Sequence, residues 1–404
     1  MTPPPPPAAG ALPLQGITVL SLEHAVAAPF ATRQLADLGA RVIKVERPGT
    51  GDFARSYDDS VNGSSSYFVW LNRSKESIAL DVKSAHGQQV LHDLAERADV
   101  IVQNLGPGAA ARLGLSAQDI RARDPGKIVV SVTGWGSTGP WADRKAYDLL
   151  VQCETGLVSL TGTPDEVAKV GVSIADVAAG MYAFSGILAA LYRKAVTGEG
   201  ATIEVSLFEA LAEWVGQPMH FTAGAGRQPG RFGAQHATIA PYGPFEAGDG
   251  HTVLISIQNE PEWARLCTEV LELPEAAEDP RFASSTLRVA HRDEVNDMVA
   301  KAFAALSTPQ LETRLTAARI AFAGVNTVSE FLAHPVLAER DRWRTVETEN
   351  GPVQALLPPI DLGVEPRMGA VPALGQNTDA ILTELGHHPC AVTGSAPAQH
   401  ESEG

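Results

Sequence analysis

The chain holds 404 residues, 44% of them apolar, with 31 basic and 47 acidic side chains and a formal charge of −16. That length exceeds what one hydrophobic core organises and predicts two domains, while the charge argues against a nucleic-acid or anionic-membrane partner, so that an anionic ligand has to meet a local cluster of cations. Three widely spaced cysteines, Cys153, Cys267 and Cys390, without CxxC or His-rich spacing, point to neither a disulfide framework nor a metal site and suit a reducing cytoplasm.

In chain order, residues 1–15 begin MTPPPPP and read as a disordered tail, without the cationic and apolar segments of a leader; no later run reads as long and apolar enough to span a bilayer. From Gly16 strand and helix alternate: a strand at 17–20, a helix at 29–38 ended by Gly39, and a strand at 41–45. That is a βαβ unit, which requires parallel strands with a helix packed on the sheet. The alternation continues through a strand at 77–80, a helix at 87–95 and strands at 100–102 and 127–132, predicting a Rossmann-like, doubly wound α/β domain. The first strand-to-helix turn, Glu23 to Pro29, lacks G-x-G-x-x-G, and no Walker A pattern occurs, so neither a nicotinamide or flavin cofactor nor nucleotide hydrolysis is indicated. A strand at 202–205 and a helix from Leu207 close the large α/β domain, 16–224. The Gly- and Pro-rich stretch 222–250 reads as a linker and long loop. A smaller α+β domain follows at 225–330, with a strand at 251–257 and helices at 261–271, at 291–306 and from Thr308. Residues 331–390 carry a strand at 352–357 and a helix at 379–385 that can return to the large domain, and 391–404 read as a second disordered tail.

One stretch, Lys169 to Lys194, combines a short apolar run with a long helical pattern in which Ile174, Val177, Met181, Phe184, Leu188 and Leu191 recur at helical spacing. Asp176 then falls in the first turn of a buried helix, where free N–H groups and the helix dipole favour an ionised carboxylate. Ala179, Gly180 and Ala183 leave its face uncovered, open to a ligand. Two other readings stand beside this one. Ser173 and Asp176 fit a capping box, in which the carboxylate only satisfies backbone donors; and Gly171 to Ala175 imitates the nucleophile elbow of a serine hydrolase, with Ser173 as nucleophile and Asp379 and His387 as partners.

Several ordered segments decide between them by resemblance: LADLGARVIKVERPGTGD from Leu35, LNRSKESIALDVK from Leu71, IVQNLGPGAAARLGL from Ile101, VTGWGSTGPWADRKAYDLLVQCETGL from Val132, TIEVSLFEAL from Thr202 and LGQNTD from Leu374. Together they resemble the class III CoA-transferases, a family that includes acyl-CoA racemases, over about Gly16 to Gly386. The resemblance implies a Rossmann-like large domain with a small domain, two subunits interlocked as rings, and Asp176 as a nucleophile that forms an anhydride and then a CoA thioester. It places coenzyme A against Val26, Ala27, Arg47, Asn72, Lys75, Asn104, Leu105, Arg112 and Lys145. Racemases of this family carry a His where Tyr147 stands; with a reference pKa near 10, a tyrosine is a poor base at neutral pH, so Tyr147 implies a transferase with this side chain beside the acyl group. A finer resemblance, through QHATIAPYGPF and AFAGVNTVSEFLAHP, is to itaconate and related C5-dicarboxylate CoA-transferases, implying succinyl-CoA as donor. The loop Gly230 to His236 lacks the glycine run of the family's mobile flap; Gln235 and His236 are candidates to face the acyl group, and Arg231, His236 and Arg73 are candidates for the second carboxylate of the acceptor.

Overall fold

A computed structural model describes residues 10–388. The predicted tails lie outside them except for 10–15, and there the expectation fails: Leu14 is buried and its N–H donates to the Leu38 carbonyl at 2.9 Å. The chain divides into two compact units. Among the described residues the larger takes 10–155, Gly171–Gly216 and 339–388; the smaller takes Gly156–Val170 and Gln217–Ala338.

The larger unit is built on six parallel strands, β1 (Thr18–Leu22), β2 (Arg41–Glu46), β3 (Lys75–Ala79), β4 (Val100–Gln103), β5 (Ile128–Thr133) and β6 (Ala201–Ser206), in the spatial order β3-β2-β1-β4-β5-β6. Runs such as Val19-Leu20 and Val100-Ile101-Val102 are covered on both faces, which is why they read as continuous apolar stretches and not as alternation. The connecting helices are α1 (Ala27–Asp37), α2 (Ser66–Asn72), α3 (Ala85–Arg97), α4 (Ala109–Arg112), α5 (Ala117–Arg123), α6 (Asp148–Glu154), α7 (Leu157–Leu160), which belongs to the smaller unit, and α8 (Ile174–Thr197), with α9 (Leu207–Trp214) after the last strand. Strand order reverses between β1 and β4, so the loops leaving those two strands part and open a crevice at the carboxyl edge of the sheet. The outer edge, β3, is sealed by the returning chain: the N–H of Ser77 donates to Asn377 Oδ1 at 2.9 Å and that of Ala79 to Thr378 Oγ1 at 3.0 Å. Thus L-G-Q-N-T-D closes an edge that would otherwise invite another strand.

Helix α8 departs from its predicted pattern. Its covered face is the small one, Ala175, Ala178, Ala179, Gly180, Ala183, Ile187 and Ala190 with Phe184, whereas Met181, Tyr182, Tyr192 and Val196 are exposed. The helix is therefore half-covered, not buried, and by length and composition it does reach what a membrane span requires. The small face exists for close packing on α1: a Cβ on Gly180 would lie 2.6 Å from the Ala27 carbonyl oxygen and 3.0 Å from Phe30. Ala179, Gly180 and Ala183 consequently meet protein, not a ligand.

In the smaller unit three antiparallel strands, β7 (Tyr242–Glu246), β8 (Thr252–Ser256) and β9 (Ala321–Gly324), cover a core of Val253, Ile255, Trp263, Val299, Phe303, Leu311 and Leu315. β7 lies inside the stretch expected to be linker. Pro244 and Gly243 disguise it, and an edge strand tolerates such a proline because one of its sides needs no ladder donor. A further helix over Gly216–Ala225 also begins before the expected loop.

Candidate active site

A buried lattice of charge fixes the loop that leaves β1. Lys75 Nζ donates to Glu23 Oε1 at 2.7 Å, to the Pro29 carbonyl and to Asn72 Oδ1, each at 3.1 Å; Lys44 Nζ donates to Asp52 Oδ2 at 2.8 Å. Arg55 makes a two-point contact with Glu46, at 2.8 Å in both arms, and Ser77 Oγ donates to the same carboxylate at 2.6 Å. Three carboxylates meet three cations. Burial opposes the charge on Glu23, yet Lys75 and Lys44 hold its carboxyl below the usual range, and Arg55 and Lys44 likewise bring Glu46 down to about 2 against its burial. Asp52 also accepts the Ala25 N–H at 3.1 Å, which holds Ala25 at φ 61°, a left-handed conformation that costs a non-glycine residue about 1 kcal/mol or more. The chain then turns straight into α1.

Across the crevice the β4 loop is tied to the same turn. The N–H of His24 donates to Asn104 Oδ1 and Asn104 Nδ2 donates back to the His24 carbonyl, both at 2.9 Å. The His24 ring stacks on Phe53 at 5.3 Å, and Tyr57 and Tyr67 continue the aromatic row. Val26, Ala27, Asn104 and Leu105 are thus brought to one place, the strand switch point. Arg47 directly follows β2, Arg112 ends α4 beyond β4, and Lys145 lies in the loop after β5; all three follow carboxyl ends of strands, are exposed, and among the described residues pair with no carboxylate. A locally cationic rim therefore exists on an acidic chain.

Asp176 is the third residue of α8, and the packing of Gly180 on Ala27, one turn later, sets that end of the helix beside α1. The predicted capping box is not formed: Ser173 makes no side-chain cap, and the Ala175 N–H instead donates to Asp148 Oδ1 at 2.7 Å. Among the described residues no donor reaches the Asp176 carboxylate. Although the residue as a whole is only partly covered, burial of its carboxyl, followed by the negative charge of Asp148, pushes its pKa up to about 7. The expectation of a carboxylate held firmly ionised by the helix terminus is thus corrected, because Asp148 has taken the terminus. Tyr57 is half-exposed, and its phenol is pushed up to about 12 by burial and then by Asp52 and Asp176. Tyr147 itself is 65% exposed at the start of α6. The loop that presents it is braced: Trp135 packs edge-on to Trp141 at 5.0 Å, Arg144 lies 3.8 Å over Trp141, and Trp135 Nε1 donates to the Lys145 carbonyl at 3.4 Å.

The remaining expected residues sit elsewhere. Asn72 and Lys75 are buried in the charge lattice, where Asn72 Nδ2 donates to the Phe68 carbonyl at 3.0 Å; neither faces the rim. Arg73 is buried in a two-point contact with Asp37, at 2.8 Å in both arms, so it is no acceptor site. Arg231, in the smaller unit, spends Nε and Nη2 on the carbonyls of Thr163 and Pro164 at 2.7 Å each. In the same unit Gln235 Oε1 accepts from Asn296 at 3.2 Å and the His236 ring stacks on Tyr242 at 5.1 Å. Among the described residues no strand leads directly into Ser173, so there is no nucleophile elbow, and His387 is engaged by Asp93 at 2.7 Å. Sequence reasoning missed Asp148, Tyr57 and His24. For Asp148 the signal was its place directly after Tyr147; a cap supplied from 27 residues away has no local signature.

The sequence profile described as CoA-transferase family III matches residues 14–378. The chain belongs to CoA-transferase family III. It is 34% identical over 385 residues to a succinate–glutarate CoA-transferase of Agrobacterium fabrum, covering 92% of this chain and 96% of that one. Identity to the human succinyl-CoA:glutarate CoA-transferase is 32%, over 92% of this chain and 86% of that one. A crystal structure of a CaiB/BaiF family protein from Brucella suis superposes with a TM-score of 0.82 at 32% identity, covering 93% of this chain and all of that one. The chain is thus an enzyme that transfers CoA, and the rim at the sheet edge is the natural place to look for it.

Proposed function

We propose that this enzyme moves CoA from succinyl-CoA to a C5 dicarboxylate through covalent attachment at Asp176. The observation that carries this reading is a carboxylate left without a donor, packed against protein, at the carboxyl edge of the sheet beside the switch-point turn. A carboxylate so placed is poorly solvated and basic, as a nucleophile should be. One Asp176 oxygen attacks the thioester carbonyl and CoA leaves as its thiolate, giving a mixed anhydride. The thiolate then attacks the Asp176 carbonyl and expels succinate, leaving an aspartyl-CoA thioester. The acceptor carboxylate reverses both steps: it forms a second anhydride with Asp176, and the thiolate captures the acceptor carbonyl, restoring the free carboxylate. A thioester is consumed and a thioester made, so no ATP is required.

Arg47, Arg112 and Lys145 are proposed to meet the phosphates of CoA, with Val26, Ala27, Asn104 and Leu105 lining the crevice and Tyr147 lying beside the acyl group. Gln235 is proposed to face the acyl group and His236 to meet the second carboxylate of the acceptor acid. The relatives named for glutarate support a C5 acceptor, and the segment resemblances favour itaconate within that class. A second copy of the chain is proposed to cover the apolar side chains exposed along α6, α8 and α9, namely Leu149, Leu150, Met181, Tyr182, Tyr192 and Trp214, in the interlocked arrangement of the family. The test is a panel of acceptor acids with succinyl-CoA, read by chromatography of the CoA esters. Itaconate, glutarate, mesaconate and citramalate should be converted with kcat/KM well above that for acetate or oxalate; preference for a monocarboxylate would overturn the substrate assignment.

A further inference from the structure

Asp148 does two things at once. It accepts the Ala175 N–H, a first-turn donor of α8 directly beside the nucleophile, and it stands as a second carboxylate near Asp176. Its other oxygen accepts from Gln152 Nε2 at 2.6 Å, which fixes its orientation. We infer that Asp148 is a positioning residue that drives acyl transfer onto Asp176 by placing a fixed negative charge against the resting carboxylate, a repulsion that vanishes when Asp176 becomes a neutral anhydride or thioester. The inference rests on Asp176 being the nucleophile.

In the first step the negative charge leaves Asp176 and appears on the CoA thiolate, away from Asp148. Two like charges held close destabilise the state in which both are ionised and leave the neutral acyl state untouched. The other groups around Asp176 do not offset this. Tyr57, with its phenol pushed up to about 12, carries no positive charge to offset the repulsion. On the elements packed against α8, Arg33 of α1 is paired with Asp37 at 2.6 Å, Glu204 of β6 is bonded to Ser137, and Glu209 of α9 accepts from Ser206 at 2.8 Å. Residual repulsion between Asp148 and Asp176 is therefore not quenched by a nearby cation among the described residues.

The experiment is rapid mixing of the full-length enzyme with excess succinyl-CoA in the absence of acceptor, following succinate release and the Asp176-bound CoA thioester by quenched mass spectrometry across pH 5 to 9. Wild type should show a rate that rises with pH through an inflection near 7. Asp148→Asn, which keeps an oxygen for the Ala175 N–H but carries no charge, should shift that inflection down by at least one pH unit and lower the high-pH plateau roughly tenfold; Asp148→Glu, which restores the charge, should return both toward wild type. Unchanged melting curves check that the variants fold. An adduct that forms in wild type, with an Asp148→Asn inflection and plateau within twofold of wild type, would overturn the role of Asp148 alone. No adduct at Asp176 in wild type would overturn the nucleophile assignment and this inference with it.

Discussion

Two groups of ionisable side chains, one buried and one only partly covered, lie near the same crevice and differ in their charge pairing. In the lattice of Glu23, Lys44, Lys75, Asp52, Glu46 and Arg55 every charge has an opposite partner within hydrogen-bonding distance. At Asp176 the neighbouring charge has the same sign and no described donor is within reach. The lattice holds the chain in shape; it fixes a left-handed Ala25 and the entrance to α1. The Asp176 pair stores instability that chemistry can release. Full charge pairing marks scaffold, and under the proposed function the lack of it marks the reacting group.

The comparison is broken most severely at Asp176. Asp176→Ala should lower kcat/KM by roughly 10⁴-fold or more, since an essential nucleophile has no substitute, with CoA binding retained in calorimetry. The lattice should respond in the opposite way. Lys75→Met leaves Glu23 buried without its closest cation and should cost about 3–5 kcal/mol of stability in denaturant unfolding. Arg73→Ala should cost less, roughly 1–3 kcal/mol, because Asp37 loses a two-point contact but keeps Arg33 at 2.6 Å, and the KM for the acceptor acid should be unchanged, because that guanidinium is already spent on Asp37.

Stability against pH sharpens the contrast. The Asp176 carboxyl has its folded pKa raised from the ordinary 3.8 to about 7, so the protonated form is favoured by folding: the carboxyl favours the fold below pH 4, and this contribution is lost as pH rises to 7. Asp176→Asn should therefore be more stable than wild type at pH 8 by at least about 1 kcal/mol, with the difference shrinking below pH 4. Glu46 runs the other way. Held at about 2, it stabilises the fold above pH 4.5 and loses that contribution as pH falls toward 2. The smallest expected effect is at the rim, where Arg47→Ala should raise the KM for succinyl-CoA roughly tenfold with little change in kcat, the loss of one charge-assisted contact, and the defect should fade in high salt.

Much of the scaffold was legible because a buried parallel sheet writes itself as short apolar runs separated by helical periods; strands β1 to β6 are each foretold within two residues at each end. Pro244 and Gly243 concealed β7, and the small face of α8 went unread because the pattern was taken from its large residues, of which Phe184 is buried, Met181 is exposed and the others are only partly covered. The site was legible in part. Val26, Ala27, Asn104 and Leu105 follow strand ends, and that position alone puts them at the crevice. Lys75 and Arg73 share a segment with family motifs, but whether a cation faces solvent or a buried carboxylate depends on partners far along the chain, such as Glu23 and Asp37. Asp148 escaped for the same reason, since its bond to Ala175 joins two segments no local pattern links.

The central claim, that Asp176 carries the acyl group and CoA in turn, is tested most directly by incubating the enzyme with succinyl-CoA, trapping with hydroxylamine, and mapping the modified residue by mass spectrometry. A hydroxamate on the peptide containing Asp176, absent in Asp176→Asn and still present in Ser173→Ala, is the expected result. Acceptor-dependent CoA exchange with no modification at Asp176 would contradict the account.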